Sequence, residues 1–201
     1  MSHRESQKAG FLLLCFLCLF VATVKADDGS RLWLRYDQHT SRRVGSVAVR
    51  GQSPTFDVIR RELRGAGIVV VNSEDASVVI GLPQTSTFIR KLGWEPELQK
   101  LGPEGFRIRT IRNVVVIAST TDIGTLYGTF HFLRLLQTEQ PIDRLQIDQR
   151  PALKLRLLNH WDNIDGTIER GYAGKSLWIG MDDKQRLLDY ARANASIGIN
   201  G

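Results

Sequence analysis

Apolar and polar positions alternate in short runs over the first two thirds of the chain, with helical spacing between some of them. Residues 31–36 (RLWLRY) set Leu32, Leu34 and Tyr36 against Trp33 and Arg35, the period-two pattern of a half-buried strand. A second strand is expected over 44–50. Ser53 followed by Pro54 predicts an N-cap with proline at the first helical position. Phe56, Ile59, Leu63 and Ala66 then recur at helical spacing, and Gly65 and Gly67 close the helix. Short strands are expected at 68–71 and 77–82, and a short helix at 84–92. Residues 105–119 predict a hairpin: Phe106, Ile108 and Ile111 approach a turn near Arg112 and Asn113, and 114–118 return as a continuous apolar strand. Thr121 or Asp122 caps a helix whose apolar stripe is Ile123, Leu126, Tyr127, Phe130, Leu133 and Leu136. Gly124 and Gly128 read as permitting close helix-on-sheet packing, and His131 reads as structural.

The pattern then changes. Residues 146–151 (QIDQRP) read as a polar connection ending in proline, which places a domain boundary near residue 150. Residues 155–158 (LRLL) predict a buried strand. At its end the composition turns abruptly polar and aromatic, with Asn159, His160, Trp161, Asp162 and Asn163. A loop follows carrying Asp165, Glu169, Arg170, Tyr172 and Lys175, spaced by Gly166, Gly171 and Gly174. A helix is expected over 182–194, and 196–200 (SIGIN) resembles the opening of a further strand. Carboxylates and amides hydrogen-bond hydroxyls, and an indole stacks on a pyranose face. Functional groups at a strand end are also how (β/α)8 barrels place their sites. The plain alternative is a Gly-rich connecting loop held by its own hydrogen bonds and salt bridges.

The first 26 residues stand outside this organisation. Arg4 and Lys8 form a basic start, 11–24 is an apolar run interrupted only by Thr23, and Val24-Lys25-Ala26 offers a small-residue cleavage site. This is the pattern of a secretory signal peptide, too short for a membrane span. Both cysteines, Cys15 and Cys18, lie inside it and read as apolar filler rather than a redox pair. Export to the periplasm or the medium is expected, with no membrane association after cleavage and a mature chain that relies on its core instead of disulfides.

The hydrophobic fraction of 42% and charged fraction of 24% are those of a globular protein. The formal net charge of +6 is spread over scattered arginines, so no nucleic-acid-binding stripe is indicated. The chain contains no GxSxG elbow, Walker loop, HExxH or Cys/His metal spacing.

The run from Asn159 to Trp178, NHWDNxDGxIERGYAGKSxW, resembles the start of the catalytic barrel of α-glucuronidases of glycoside hydrolase family 67. The helix GTLYGTFHFLRLLQ resembles its counterpart in the small domain that precedes many carbohydrate-hydrolase barrels, those of β-hexosaminidases included. The resemblance is weak in the first domain and strong from Gly102 onward. Together these readings give an α/β chain. A signal peptide (1–26) precedes an N-terminal α+β two-layer sandwich (27–150) with helices on one sheet, followed by the first βα unit of a truncated (β/α)8 barrel (151–201).

The resemblance implies an exo-acting, inverting hydrolase that removes α-1,2-linked 4-O-methylglucuronic acid from xylo-oligosaccharides derived from glucuronoxylan. Inversion needs a carboxylic acid and a carboxylate about 6.5–9.5 Å apart. In the family these lie on later barrel strands, so no catalytic residue is assigned here, and Asp162, Asp165 and Glu169 are not promoted to that pair. No metal or organic cofactor is expected. Trp161 is the expected stacking platform for sugar. Asn159, His160, Asp162 and Asn163 are expected to bond hydroxyls or orient one another, and Arg170 and Lys175 to meet a uronate carboxylate.

A barrel takes about 250 residues, and those after 150 suffice for one βα unit and the next strand. A fragment or truncated product is therefore expected, inactive alone. A non-catalytic carbohydrate-binding or accessory module is the alternative. A homodimer of the full-length enzyme is compatible with the sequence, which leaves the oligomeric state open.

Overall fold

Hydrophobic alternation within short β-branched runs builds the centre of the molecule. The structure is a computed structural model and describes Leu34, Tyr36, Thr40 and residues 42–172, 174–176, 178–179 and 184–201. The leader read at 1–26 lies outside the described residues, as does most of the strand read at 31–36. Leu34 and Tyr36 themselves are not in a strand.

Strands β1 (Ser46–Arg50), β2 (Val69–Val71), β3 (Val78–Gly81), β4 (Phe106–Ile111), β5 (Val114–Ala118) and β6 (Gln146–Gln149) form one six-stranded sheet in the order β2-β1-β3-β5-β4-β6. The first three and β5 run parallel, with Val79 beside Val116 and Ile80 beside Ile117. The β4–β5 hairpin is antiparallel, and β6 adds antiparallel to β4. The hairpin closes through Arg112 and Asn113, at φ 47° and 71°. Two consecutive left-handed residues give the loop the twist its strands require.

Odd and even positions separate onto two faces. Val47, Val49, Ile80, Phe106, Ile108, Val115 and Ile117 pack against helices α1 (Pro54–Gly65) and α4 (Asp122–Gln137). Ala48, Val79, Val116 and Ala118 pack on the opposite side against Ile89 of α2 (Thr87–Lys91) and Leu98 of α3 (Glu95–Leu101). The expected sandwich had helices on one face only, and the sheet is covered on both. The reason lies in β3 and β5, whose residues are buried almost without exception. Inner parallel strands have no polar face to offer water.

The caps of α1 and α4 are those read from the sequence. Ser53 accepts a hydrogen bond from the Phe56 N–H at 3.3 Å, and Thr121 accepts one from the Gly124 N–H at 3.2 Å. A Cβ on Gly128 would stand 2.8 Å from Ile117 Cγ2, so the absence of a side chain lets α4 sit directly on β5.

The polar connection expected at 146–151 begins instead as β6. A strand this polar survives as an edge because Asp148 takes two hydrogen bonds from Arg107, at 2.8 and 2.9 Å, and one from Arg109 at 2.8 Å. The Arg107 guanidinium also lies over the Trp94 ring, 5.3 Å from its centre.

Residues 155–158 are not the expected buried strand. Leu155 is 65% exposed, and Leu157 and Leu158 are exposed as well. Backbone bonds from Asn200 to the Arg156 carbonyl (3.0 Å) and from Leu158 to the Gly201 carbonyl (3.3 Å) tie this segment to the last residues. A strand becomes buried only when neighbours cover its edges and faces, and here it has one short stretch of partner. Of the second strand expected at 196–200, Ser196 ends a helix, Ile197 and Gly198 form a turn, and Ile199 and Asn200 belong to no ladder.

Between them α5 (Lys184–Ser196) packs against α4. Among its residues only Ser196 is buried. Polar bonds therefore do much of the docking. Arg192 donates to Glu62 of α1, and Arg134 of α4 donates to the Ser196 carbonyl at 2.9 Å.

Candidate functional site

The polar loop after residue 158 is a small folded unit closed by its own hydrogen bonds. The Asn163 N–H reaches the Thr167 carbonyl at 2.8 Å and the Gly166 N–H returns to Asn163 at 3.0 Å, making a tight turn with Gly166 at φ 80°. Asp162 bridges antiparallel to Ile168, and Thr167 to Lys175. The Glu169 N–H donates to the Trp161 carbonyl at 2.8 Å, with Glu169 itself at φ 53°. Three passes of chain are thereby laced together within some twenty residues.

The polar side chains divide into two groups. Asn163 turns inward, donating to Thr167 Oγ1 (2.8 Å) and the Glu169 carbonyl (2.9 Å). Asp162 accepts from Ser176 Oγ at 2.9 Å, and the same buried hydroxyl receives the Trp178 and Ile179 N–H groups. Asp165 accepts from both the hydroxyl and the N–H of Thr167, and these bonds hold its carboxyl below the usual range. Asp162, Asn163 and Asp165 thus orient the loop. Asn159, His160, Trp161, Arg170 and Lys175 are exposed, the Trp161 indole at 64%.

His160 is fixed from one side. Its Nε2 is hydrogen-bonded to the Tyr190 hydroxyl of α5, and its ring stands edge-on to Trp178 at 5.5 Å and to Tyr190 at 5.4 Å. Trp178 and Tyr190 pack edge-on to each other at 5.7 Å. The backbone next to Trp161 is therefore anchored while the indole projects to solvent. Tyr190 and Ser176 were not singled out by the sequence pattern. Tyr190 lies in a stretch expected only as a helix, and nothing marks Ser176 as the junction of three bonds.

None of the seven sequence-derived residues lines the cavity of about 350 Å³ found nearer the sheet. Among the described residues no group of three or more His, Cys, Asp or Glu is placed to hold a metal ion, and no helix is long and apolar enough to cross a membrane. The exposed loop offers a flat indole, cations at Arg170 and Lys175, and the Asn159 amide. This set can stack on a sugar ring and meet hydroxyls and a carboxylate.

Comparison with known proteins gives the family of the chain. The family description "Glycosyl hydrolase family 67 N-terminus" matches residues 32–132, and "Glycosyl hydrolase family 67 middle domain" matches 135–201. Alpha-glucuronidase A of Aspergillus tubingensis is 30% identical over 92% of this chain and 24% of its own length. Probable alpha-glucuronidase A of Aspergillus oryzae is 30% identical over 94% of this chain and 25% of its own. The chain thus spans about a quarter of the length of these relatives. A solved structure of a family GH115 4-O-methyl-alpha-glucuronidase with specificity for decorated arabinogalactans is 17% identical, with a TM-score of 0.41 over 56% of this chain and 18% of that one. Matches to both family descriptions, covering nearly all of the chain beyond its first 31 residues, show that it belongs to glycosyl hydrolase family 67.

Proposed function

We propose that this chain supplies the leading domain and the first part of the catalytic domain of an exported α-glucuronidase. The enzyme would remove α-1,2-linked (4-O-methyl)glucuronic acid from xylo-oligosaccharides with inversion. The observation that carries the reading is the family match over 135–201, the segment that contains the exposed Trp161 loop. Two matched relatives bear the names alpha-glucuronidase A and probable alpha-glucuronidase A. The leading domain runs to about residue 150, where β6 completes the sheet. The chain beyond it begins a (β/α)8 barrel, and residues 1–26 direct export.

In this reading Trp161 stacks on the sugar, Asn159 and His160 bond hydroxyls, and Arg170 and Lys175 face the uronate. Asp162 and Asn163 hold the loop in shape. The acid and base of inversion lie on other barrel strands. Asp162 and Asp165 are engaged within the loop, which leaves neither placed as a water-activating base.

Two assays test this. The product of the whole reading frame should release 4-O-methylglucuronic acid from aldouronic oligosaccharides with inversion at the anomeric carbon. The 201-residue chain alone should release none. Turnover by this chain alone would overturn the placement of the acid and base. No release by a folded whole-frame product would overturn the assignment itself.

A further inference from the structure

The cavity of about 350 Å³ lies where α4 and β4 meet the chain around Arg156 and the turn after α5. Three guanidinium groups line it, those of Arg134, Arg150 and Arg156, against the single carboxylate of Glu104. That carboxylate is already engaged, by Arg156 Nη2 at 2.9 Å and Asn200 Nδ2 at 2.9 Å. Burial opposes its ionisation, but these bonds outweigh burial and keep it charged below the usual carboxylate range. The lining therefore carries a positive excess, and its three cations come from separate elements. Arg150 is exposed and forms no ion pair among the described residues.

The remaining wall is aromatic and capable of hydrogen bonding. His131 packs on Phe106 with ring centres 5.5 Å apart. Burial, then the nearby Arg134 charge, holds its imidazole neutral into more acidic conditions than usual. A neutral imidazole keeps one donor and one acceptor, which suits a hydroxyl. The Tyr127 ring is buried in the same wall. A volume of about 350 Å³ falls at the small end of ligand cavities. It admits a single sugar-sized molecule and not an oligosaccharide.

We propose that this cavity is a second binding site, separate from the Trp161 loop, for a monosaccharide-sized hydroxylated carboxylate. Its carboxylate lies against Arg134 and Arg150, and its hydroxyls meet His131 and the Tyr127 side. The inference does not rest on the function proposed above. Arg134 also holds the Ser196 carbonyl, so occupancy braces α5 against α4.

The 201-residue chain is titrated with D-glucuronate, and with D-glucose as the neutral probe, following the His131 ring resonances by NMR. Glucuronate should shift them with a dissociation constant of roughly 1 mM, and glucose should bind at least tenfold more weakly. Arg150→Ala should weaken glucuronate about fivefold, the loss of one rim ion pair. It should leave the circular dichroism and melting temperature unchanged. Trp161→Ala should leave the titration as it is. No His131 shift, equal binding of glucose, an indifferent Arg150→Ala, or loss of binding in Trp161→Ala would each overturn the cavity assignment. None of these outcomes bears on whether the whole-frame product is a glucuronidase.

Discussion

Replacing Arg192 by Met should release α5 while leaving the sheet intact. Glu62 on α1 has a side chain only 1% exposed. Its carboxylate accepts from Arg192 Nε at 2.6 Å, Arg192 Nη2 at 2.9 Å and the Tyr36 hydroxyl at 2.7 Å. The electrostatics match this geometry. Burial and then the Glu62 charge push the Tyr36 hydroxyl well above its ordinary range, and hydrogen bonds to Glu62 hold Arg192 more firmly protonated than usual. Met keeps most of the aliphatic stem but removes every donor, leaving a buried carboxylate with one hydroxyl partner.

Stranding one member of a buried ion pair costs about 3–5 kcal/mol. The Arg192 side chain keeps 24% of its surface exposed, so the low end applies, about 3 kcal/mol. The docking of α5 has little apolar burial to fall back on. Opening should therefore be local, and at 1.4 kcal/mol per decade the amides of 184–196 should exchange roughly a hundredfold faster. Hydrogen exchange read by mass spectrometry measures this directly, with β3 and β5 as internal reference. Adding Glu62→Leu should recover most of the loss, because two apolar partners leave no orphaned charge. The reasoning is refuted if exchange at α5 is unchanged, or if β3 and β5 lose protection to the same degree.

Gly124→Ala should lower the melting temperature. The new Cβ would lie 2.1 Å from Ser119 Oγ and 2.5 Å from the Gly105 carbonyl oxygen, disrupting the 2.6 Å bond between them. A cost of about 1–3 kcal/mol follows from overpacking, roughly 2–4 °C per kcal/mol in a chain of this size, and an unchanged melt would contradict it. Acid should weaken the fold through Asp148. Hydrogen bonds from Arg107, with the Arg109 charge adding to them, hold its carboxyl below the unfolded value. Its contribution is present above the unfolded pKa and lost as pH falls through the lower folded one. Urea titrations at a series of pH values should show this slope, and Asp148→Asn should flatten it. Trp161→Ala should change stability by no more than about 0.5 kcal/mol, as for an exposed position. It should also abolish whatever oligosaccharide binding the chain shows by calorimetry. A large loss of stability would mean the indole is structural.

The elements around the six-stranded sheet were largely legible because their signals are local. The Ser53 and Thr121 caps, the Arg112–Asn113 turn and the small residues at Gly124 and Gly128 each act within a few residues or through one contact. Two features escaped because their causes are distant. The second helical layer needed α3, which shows only Leu98 as a buried residue. The edge strand β6 is held by guanidinium groups some forty residues earlier in the chain. At the candidate loop the sequence marked which stretch carries the polar and aromatic residues. Which of them face solvent and which hold the loop was decided by Ser176, Thr167 and Tyr190, partners that no spacing rule identifies.

Residues 155–158 show why one apolar run cannot determine its own burial. Leu155, Leu157 and Leu158 have the composition of a barrel strand, but burial is a property of the neighbours that a strand acquires. The described chain supplies one edge contact, through Asn200 and Gly201, and the Arg156 side chain is fastened to Glu104, Leu153 and Gly198. Apolar surface left in water forgoes about 25 cal/mol for every Å² that could have been covered. That unrealised stabilisation is available to any polypeptide able to lay strands beside this segment. The same covering would raise a wall next to the loop at 159–176, whose exposed Trp161 presently has solvent on its open side. Burial of the leucines and enclosure of the Trp161 indole are thus two consequences of one packing event. Spectroscopic probes at Leu157 and Trp161 should move together when further strands pair with this edge.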